Sequence, residues 1–430
     1  MTGPLRVLAV ADSDSYLKWA AWTVAGLRDA LGTPDGPSFT DEPPLTGEPP
    51  LTGEPPLTGE PPLTTAPRSS VVVVRSPIAP TADQARAAVA GTGLPAPPVL
   101  GTGALRRLVR DTRPDVVLVA ATGPVAELVA RQVVRAAGPR RPALVTGLPG
   151  MALPATPQGT GWRRWCDAFV VHGRVEVEAY ATAFAAHGVR PALPLAPLPF
   201  LAHGPRPASG AVRRVLFAAQ AKVPAGRSDR VSLLDGLARL SADGPEVVVK
   251  LRARAGERQT HNEEHPLDAL WESEHARLGH PAGTLRFATG PMTDQLVDGT
   301  ALLTVSSTAG LESLAVGLPT VFLADFGVRA ELLNEPFSTS GCMRRLDDVA
   351  ATLAAGGPDV DPRWADDHYL QRAPSELPGA VADLVARARA GALPTRPVRP
   401  WSAHRHAYTV LRSALPVATS LALPVRRARG

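Results

Sequence analysis

Hydrophobic and polar positions alternate along this chain in blocks: short runs that are nearly all apolar give way to longer stretches with apolar residues at helical spacing. "RVLAVA" is followed by "DSDSYLKWAAWTVAGLRDAL", in which Leu17, Ala20, Ala21, Val24, Leu27 and Leu31 recur on one helical face. The pattern continues with the strand "SSVVVV", the helices "PTADQARAAVA" and "GALRRLVRDT", the strand "RPDVVLVAA" and the helix "PVAELVARQVVRAA". "RPALVTGLPG" reads as strand into loop, and "CDAFVVHGRVEVEAYATAFAAHGV" as strand then helix. Strands apolar on both faces, each leading into a helix, predict a parallel sheet covered on both sides.

Two segments break the pattern. Residues 42–64, "EPPLTGEPPLTGEPPLTGEPPLT", write one hexapeptide four times, the last copy imperfect. Two prolines in each six residues exclude helix and sheet interior, so a disordered, polyproline-II-like surface insert is expected. Residues 191–211, "PALPLAPLPFLAHGPRPASGA", are proline-rich and aperiodic, the best domain linker in the chain. Beyond it the grammar restarts with the strand "VRRVLFAAQ" and the helix "RVSLLDGLARLSA", then the strand "EVVVKLRARAG" and the helix "HPLDALWESEHARLG". "TLRFAT" follows as a strand, "MTDQLVDG" as a short helix, then "ALLTVSS", "TAGLESLAVG", "PTVFLAD" and helices near 345–355 and 377–390. The fold class expected is α/β, with two Rossmann-like parallel-sheet domains facing a cleft. The boundaries read as 1–200, 211–375, and a C-terminal helix with a basic tail over 376–430.

Composition changes this picture little. A chain of 430 residues, 44% hydrophobic and 20% charged, suffices for two domains with their own cores. Lys and Arg number 45 against 40 Asp and Glu, a mild excess that decides no partner class by itself. Cys166 and Cys342 are too few for a disulfide framework or a zinc knuckle. "MTGPLRVLAVADSDS" has too short an apolar core for a signal peptide, and no run of about 18 apolar residues offers a membrane span. A cytoplasmic protein is expected. After Asp383 there is no acidic residue while nine arginines follow, and "WSAHRHAYTVLRSAL" can form a helix with aromatic and aliphatic residues on one side. That tail is either a basic extension or a support against an anionic membrane surface. No basic–aromatic platform accompanies the charge, so nucleic acid is not an expected partner.

The segment carrying most chemistry is 302–323. "LLTV" is a buried-strand run, and Ser306, Ser307 or Thr308 can each cap the helix that follows. Leu311, Leu314 and Ala315 then line its inner face, Gly317 takes the left-handed position after its end, and Pro319 prevents continuation. A tight strand–helix turn leaves amide N–H groups and a positive dipole end for an anion, with spare hydroxyls as donors. The plainer alternative is that these hydroxyls are caps and nothing more.

"TVSSTAGLESLAVGLPTVFLADFG" resembles the donor-site strand–turn–helix of GT-B glycosyltransferases. It is most similar to the group containing capsule-polysaccharide enzymes, bacterial sialyltransferases and CDP-glycerol glycerophosphotransferases, and to actinomycete-type glycosyltransferases. "ADSDSYLKWA", "GLPGMALPAT", "VVHGRVEVEAY" and "VVVKLRARAGERQTHNEEHP" carry shorter matches. The resemblance implies a GT-B-like, two-Rossmann architecture with Ser306, Ser307 and Thr308 on the donor phosphate and Glu312 facing a ribose or sugar hydroxyl. Lys250 matches the lysine of a Lys-x-His-Pro element, in which Arg252 stands for the histidine and Ala253 for the proline. Glu257 and His261, in the same loop, are further donor-side candidates or ordinary loop polarity.

On the acceptor side, Asp12 and Asp14 end the first strand. One of them could take the acceptor's proton, or the Asp-Ser-Asp turn could simply cap the next helix. His172 is a second candidate base or a neutral core-edge histidine, and Gly147 and Gly150 either admit an acceptor close to the backbone or only make a turn. The expected function is transfer of a sugar, of sialic or nonulosonic-acid type, from a nucleotide-activated donor to a cell-surface polysaccharide or lipid-linked acceptor. No metal or other cofactor is expected. The alternatives are a CDP-alcohol phosphotransferase of teichoic-acid type, a nucleotide-sugar 2-epimerase, or a non-catalytic nucleotide-sugar-binding scaffold.

Overall fold

A computed structural model describes residues 5–31, 69–201, 211–242, 244–252 and 263–395. The hexapeptide repeat, the tail from 396 onward, Ala253, Glu257 and His261 lie outside these residues.

The first domain is a six-stranded parallel sheet: β1 (Val7–Ala11), β2 (Ser69–Val74), β3 (Val99–Leu100), β4 (Val116–Ala120), β5 (Ala143–Gly147) and β6 (Ala168–Val170). Its order is β3-β2-β1-β4-β5-β6. The second domain contains β7 (Arg214–Ala218), β8 (Glu246–Lys250), β9 (Arg286–Ala288), β10 (Thr300–Thr304), β11 (Thr320–Leu323) and β12 (Met343–Arg344), in the order β12-β11-β10-β7-β8-β9. Counted from each domain's own first strand, the two sheets have the same doubly wound order. Every pairing between these strands is parallel. The α/β, GT-B-like class expected from the alternating pattern is the class observed.

The central strands are buried on both faces, as their unbroken apolar runs require. One side of the first sheet meets helix α1 (Asp14–Ala30) through Leu17, Ala20, Ala21 and Val24, while Leu8, Val10, Val117 and Val119 pack on the other. In each sheet the strand order reverses beside the first strand, between β1 and β4 and between β7 and β10. Loops leaving those strand ends open into a crevice, the usual ligand position in an open α/β sheet.

Three features depart from the sequence reading. β3 was not anticipated: it is a two-residue edge strand within "PAPPVLG", where proline hides the signal. "MTDQLVDG" makes a turn rather than a helix, with the Gln295 and Leu296 amides both donating to the Met292 carbonyl before Gly299 turns the chain at φ +75°. The C-terminal helix Leu377–Arg389 does not stand apart. It returns to the first domain, where Leu377, Val381, Leu384 and Val385 join the core beneath α1. Arg141 secures that return with a buried bidentate pair to Asp167 (2.7 and 2.8 Å) and a bond to the Pro394 carbonyl. Linker residues Leu198 and Leu201 meanwhile pack with Leu311, Phe322, Phe337 and Trp364 of the second domain.

Candidate functional site

The site is built on the two strand ends that face each other across the domains. On the first domain, β1 runs directly into α1, whose opening turns carry Asp14 and, one turn further, Lys18. On the second, β8 ends at Lys250 with Arg252 just beyond, and β10 leads through Ser306–Thr308 into the short helix Ala309–Ala315 carrying Glu312. Lys18 Nζ lies 3.8 Å from Glu312 Oε2. Arg252 reaches from the second domain to the Ser15 hydroxyl at 3.4 Å. A Cβ on Gly150 would stand 3.0 Å from Thr308 Cγ2, so the loop after β5 closes on the start of the short helix. Acids and bases from both domains therefore occupy one cleft.

Their proton affinities reflect that enclosure. Desolvation pushes Asp14 above the ordinary carboxylate range, and the charges of Arg252, Lys18 and Lys250 pull it partly back. Burial raises Glu312 too, against the pull of Lys18 and Lys250. Lys250 is lowered, first by burial and then by the neighbouring Arg252 charge, with Glu312 and Asp14 opposing. Three cations facing two carboxylates leave an excess of positive charge at the mouth of the cleft. Among the described residues no group of three or more His, Cys, Asp or Glu is placed to hold a metal ion.

A profile of the family described as "Putative glycosyltransferase (DUF6716)" matches residues 62–384, three quarters of the chain. The chain belongs to this family. Among solved structures, a "putative UDP-N-acetylglucosamine 2-epimerase from Listeria monocytogenes" superposes with a TM-score of 0.53 at 12% identity, over 93% of this chain and 100% of that one. Another UDP-N-acetylglucosamine 2-epimerase gives 0.51 at 12% identity over the same shares. A lipopolysaccharide outer core galactosyltransferase, WaaB, gives 0.45 at 11% identity, over 90% and 100%. Identities this low speak for the fold alone. No curated protein matches the chain.

The anion site expected at the start of the short helix is not present in the form the sequence suggested. Ser306 is buried, and its hydroxyl donates to the Leu332 carbonyl at 2.5 Å while its amide donates to Gln220 Oε1 at 3.0 Å. The Ser307 hydroxyl caps its own helix by accepting from the Ala309 amide, and its amide donates to Thr304 Oγ1. The amides of Gly310, Leu311 and Glu312 close onto the Ser307 and Thr308 carbonyls. The Ser306 hydroxyl and the amides of Ser306, Ser307 and residues 309–312 are thus occupied by protein. Ser306 and Ser307 shape the turn, whereas Thr308 is half-buried, faces Gly150 and caps nothing with its hydroxyl. The helix end behaves as expected: Gly317 sits at φ +79°, and the Leu318 amide donates to the Ser313 carbonyl in a Schellman closure.

Three acceptor-side candidates are corrected as well. Asp12 has no accessible surface, and its Oδ2 accepts from the Thr122 amide (3.0 Å) and hydroxyl (2.5 Å), tying β1 to the end of β4. Burial raises it to about 6, yet a side chain sealed from the cleft cannot meet an acceptor hydroxyl. His172 accepts from the Trp19 indole N–H at 3.0 Å through Nε2 and donates to the Ala196 carbonyl at 2.8 Å through Nδ1. Both ring nitrogens are used, and burial favours the neutral form. Gly147 is glycine because Trp19 fills the space a Cβ would need, 2.6 Å from Cζ2. Of the acceptor-side candidates, Asp14 stays half-exposed in the cleft, and Gly150 is buried against Thr308.

Lys18 and Gln220 were missed. Lys18 could have been found from its place one helical turn after Asp14, at the strand-end pole of α1. Gln220 shows its role only through Ser306, 86 residues away.

Proposed function

We propose that this protein is a glycosyltransferase that binds a nucleotide-activated sugar in the second domain and an acceptor hydroxyl against the first. The single observation that carries this reading is the cleft in which Lys18, Lys250 and Arg252 surround Asp14 and Glu312, in a chain of a glycosyltransferase family. Lys250 and Arg252 hold the donor's phosphate groups, and Thr308 adds a hydroxyl. Glu312 accepts from a sugar or ribose hydroxyl. Asp14 takes the proton as the acceptor oxygen attacks the anomeric carbon. The carbon–oxygen bond to phosphate breaks, and the nucleotide leaves with the electron pair toward the cations, whose charge offsets the one developing on it. The similarity of residues 304–327 to capsule-polysaccharide and sialyltransferase segments supports a sugar of sialic or nonulosonic-acid type and a polysaccharide or lipid-linked acceptor.

Thermal shift with CMP, CDP, UDP and GDP tests the donor half, since a ligand at about 100 times its Kd stabilises by roughly 2.7 kcal/mol. One nucleotide should raise Tm by several degrees, and its sugar conjugate should be slowly hydrolysed to nucleotide and free sugar. Fold similarity to 2-epimerases makes the contrary outcome specific: donor converted to its epimer, with no acceptor present, would replace transfer with epimerisation.

A further inference from the structure

The less buried face of α1 continues away from the cleft. Asp14, Lys18, Trp22 and Gly26 follow at intervals of four residues, so they form one stripe that runs from the charge cluster over about 18 Å. Beside its far half lies an open cavity of about 470 Å³ to which Trp22, Gly26, Gly91, Pro197, Pro199 and Pro378 contribute. The opposite wall also leads back to the cleft. Pro197 and Pro199 belong to the segment that ends in Phe200, and the Lys18 ammonium lies 4.7 Å from the Phe200 ring centroid. Both walls are thus continuous with the site described above.

The walls are chemically particular. Trp22 is half-buried, its ring edge close against Gly91, where a Cβ would meet Cζ2 at 3.4 Å. Proline rings stand around it, and the rim carries the Ser375 hydroxyl and the exposed Asp29. Gly26 is exposed and has open space where a side chain would be. Flat apolar faces with a polar, open rim match the C–H faces and outward hydroxyls of linked sugar rings. A lipid chain would call for a more enclosed and uniformly apolar channel. We infer that this groove binds several sugar units of a glycan acceptor, with Trp22 as stacking platform, and so directs the reacting end toward Asp14. The inference rests on the glycosyltransferase reading and narrows its acceptor to an extended oligosaccharide held along this groove.

Saturation-transfer NMR with hexasaccharides of glucose, galactose, mannose and N-acetylglucosamine, each beside its monosaccharide, tests it. At least one hexasaccharide should bind ten times or more tightly than its monomer. Gly26→Trp, which fills open space on an exposed helical surface, and Trp22→Ala should each weaken that binding at least tenfold. The nucleotide-induced thermal shift should persist in both variants, which keeps a failed groove distinct from a failed donor site. No binding by any hexasaccharide, or binding indifferent to Gly26→Trp, overturns the inference. So does a response to dodecyl phosphate with none to the saccharides.

Discussion

Lys18 and Glu312 meet across the cleft at 3.8 Å, the first from the opening turns of the N-terminal domain and the second from the short helix of the C-terminal domain. Lys18 is partly exposed and Glu312 nearly covered, so the pair contributes little to folding but a good deal to charge balance in the site. Lys18→Met should change folding stability by less than about 1 kcal/mol. It should lower kcat/KM by a factor of roughly ten to a hundred, because the cleft loses one of the cations that offset charge developing on the departing nucleotide. Denaturant unfolding and steady-state kinetics on the same preparation separate the two effects.

The same charges set the pH dependence. Asp14 must be ionised to accept a proton, and its carboxyl is raised by desolvation. Activity should therefore climb with pH along an acidic limb lying above the ordinary carboxylate range. Lys250 must be protonated to hold phosphate, and burial lowers it, so the alkaline limb should fall below the ordinary lysine range. In a kcat/KM profile, Asp14→Asn should remove the acidic limb along with most activity, whereas Lys250→Arg should move the alkaline limb upward.

Asp12 separates structural titration from catalytic titration. Its folded value of about 6 exceeds the ordinary 3.8, so the folded state binds its proton more tightly than the unfolded state does. Stability then declines as pH rises from about 4 to 6, by about 3 kcal/mol from this group, and the cost stays in full at higher pH. Asp12→Asn should remove that slope while retaining activity within a few-fold. Unfolding free energies of both proteins at pH 4 and pH 7.5 give the comparison; an identical pH response would show that Asp12 is not the titrating group.

Gly147 and Gly150, three residues apart, should respond differently to the same change. Gly147→Ala forces a methyl group against Trp19 in the core and should cost about 1–3 kcal/mol of stability. Gly150→Ala meets one methyl group, Thr308 Cγ2 of the other domain, and should cost less stability than Gly147→Ala while weakening nucleotide binding. Thermal unfolding with and without nucleotide reads both.

Much of this architecture was legible because parallel strands buried on both faces must be written as continuous apolar runs, and Val71–Val74 or Val116–Ala120 have no other plausible fate. The end of the 309–315 helix was equally clear, since Gly317 and Pro319 act locally. The fate of Ser306 was not. Its hydroxyl is held by Gln220 and by the Leu332 carbonyl, on segments that only the folded sheet brings together. For the same reason Asp12 and Asp14 look alike in sequence, yet one turns inward to Thr122 and the other outward to the cations. Local chemistry marked the strand ends where polar groups gather, while long-range packing decided which polar atoms there stay available.

Lys250 holding a donor phosphate is the contact on which the proposed transfer depends most directly. Isothermal titration of the nucleotide that gives the largest thermal shift, against wild type and Lys250→Met, measures that dependence. Lys250→Met should lose at least tenfold in affinity, with unfolding in the absence of ligand little changed. Equal affinity in the two proteins would contradict it and move the donor out of this cleft.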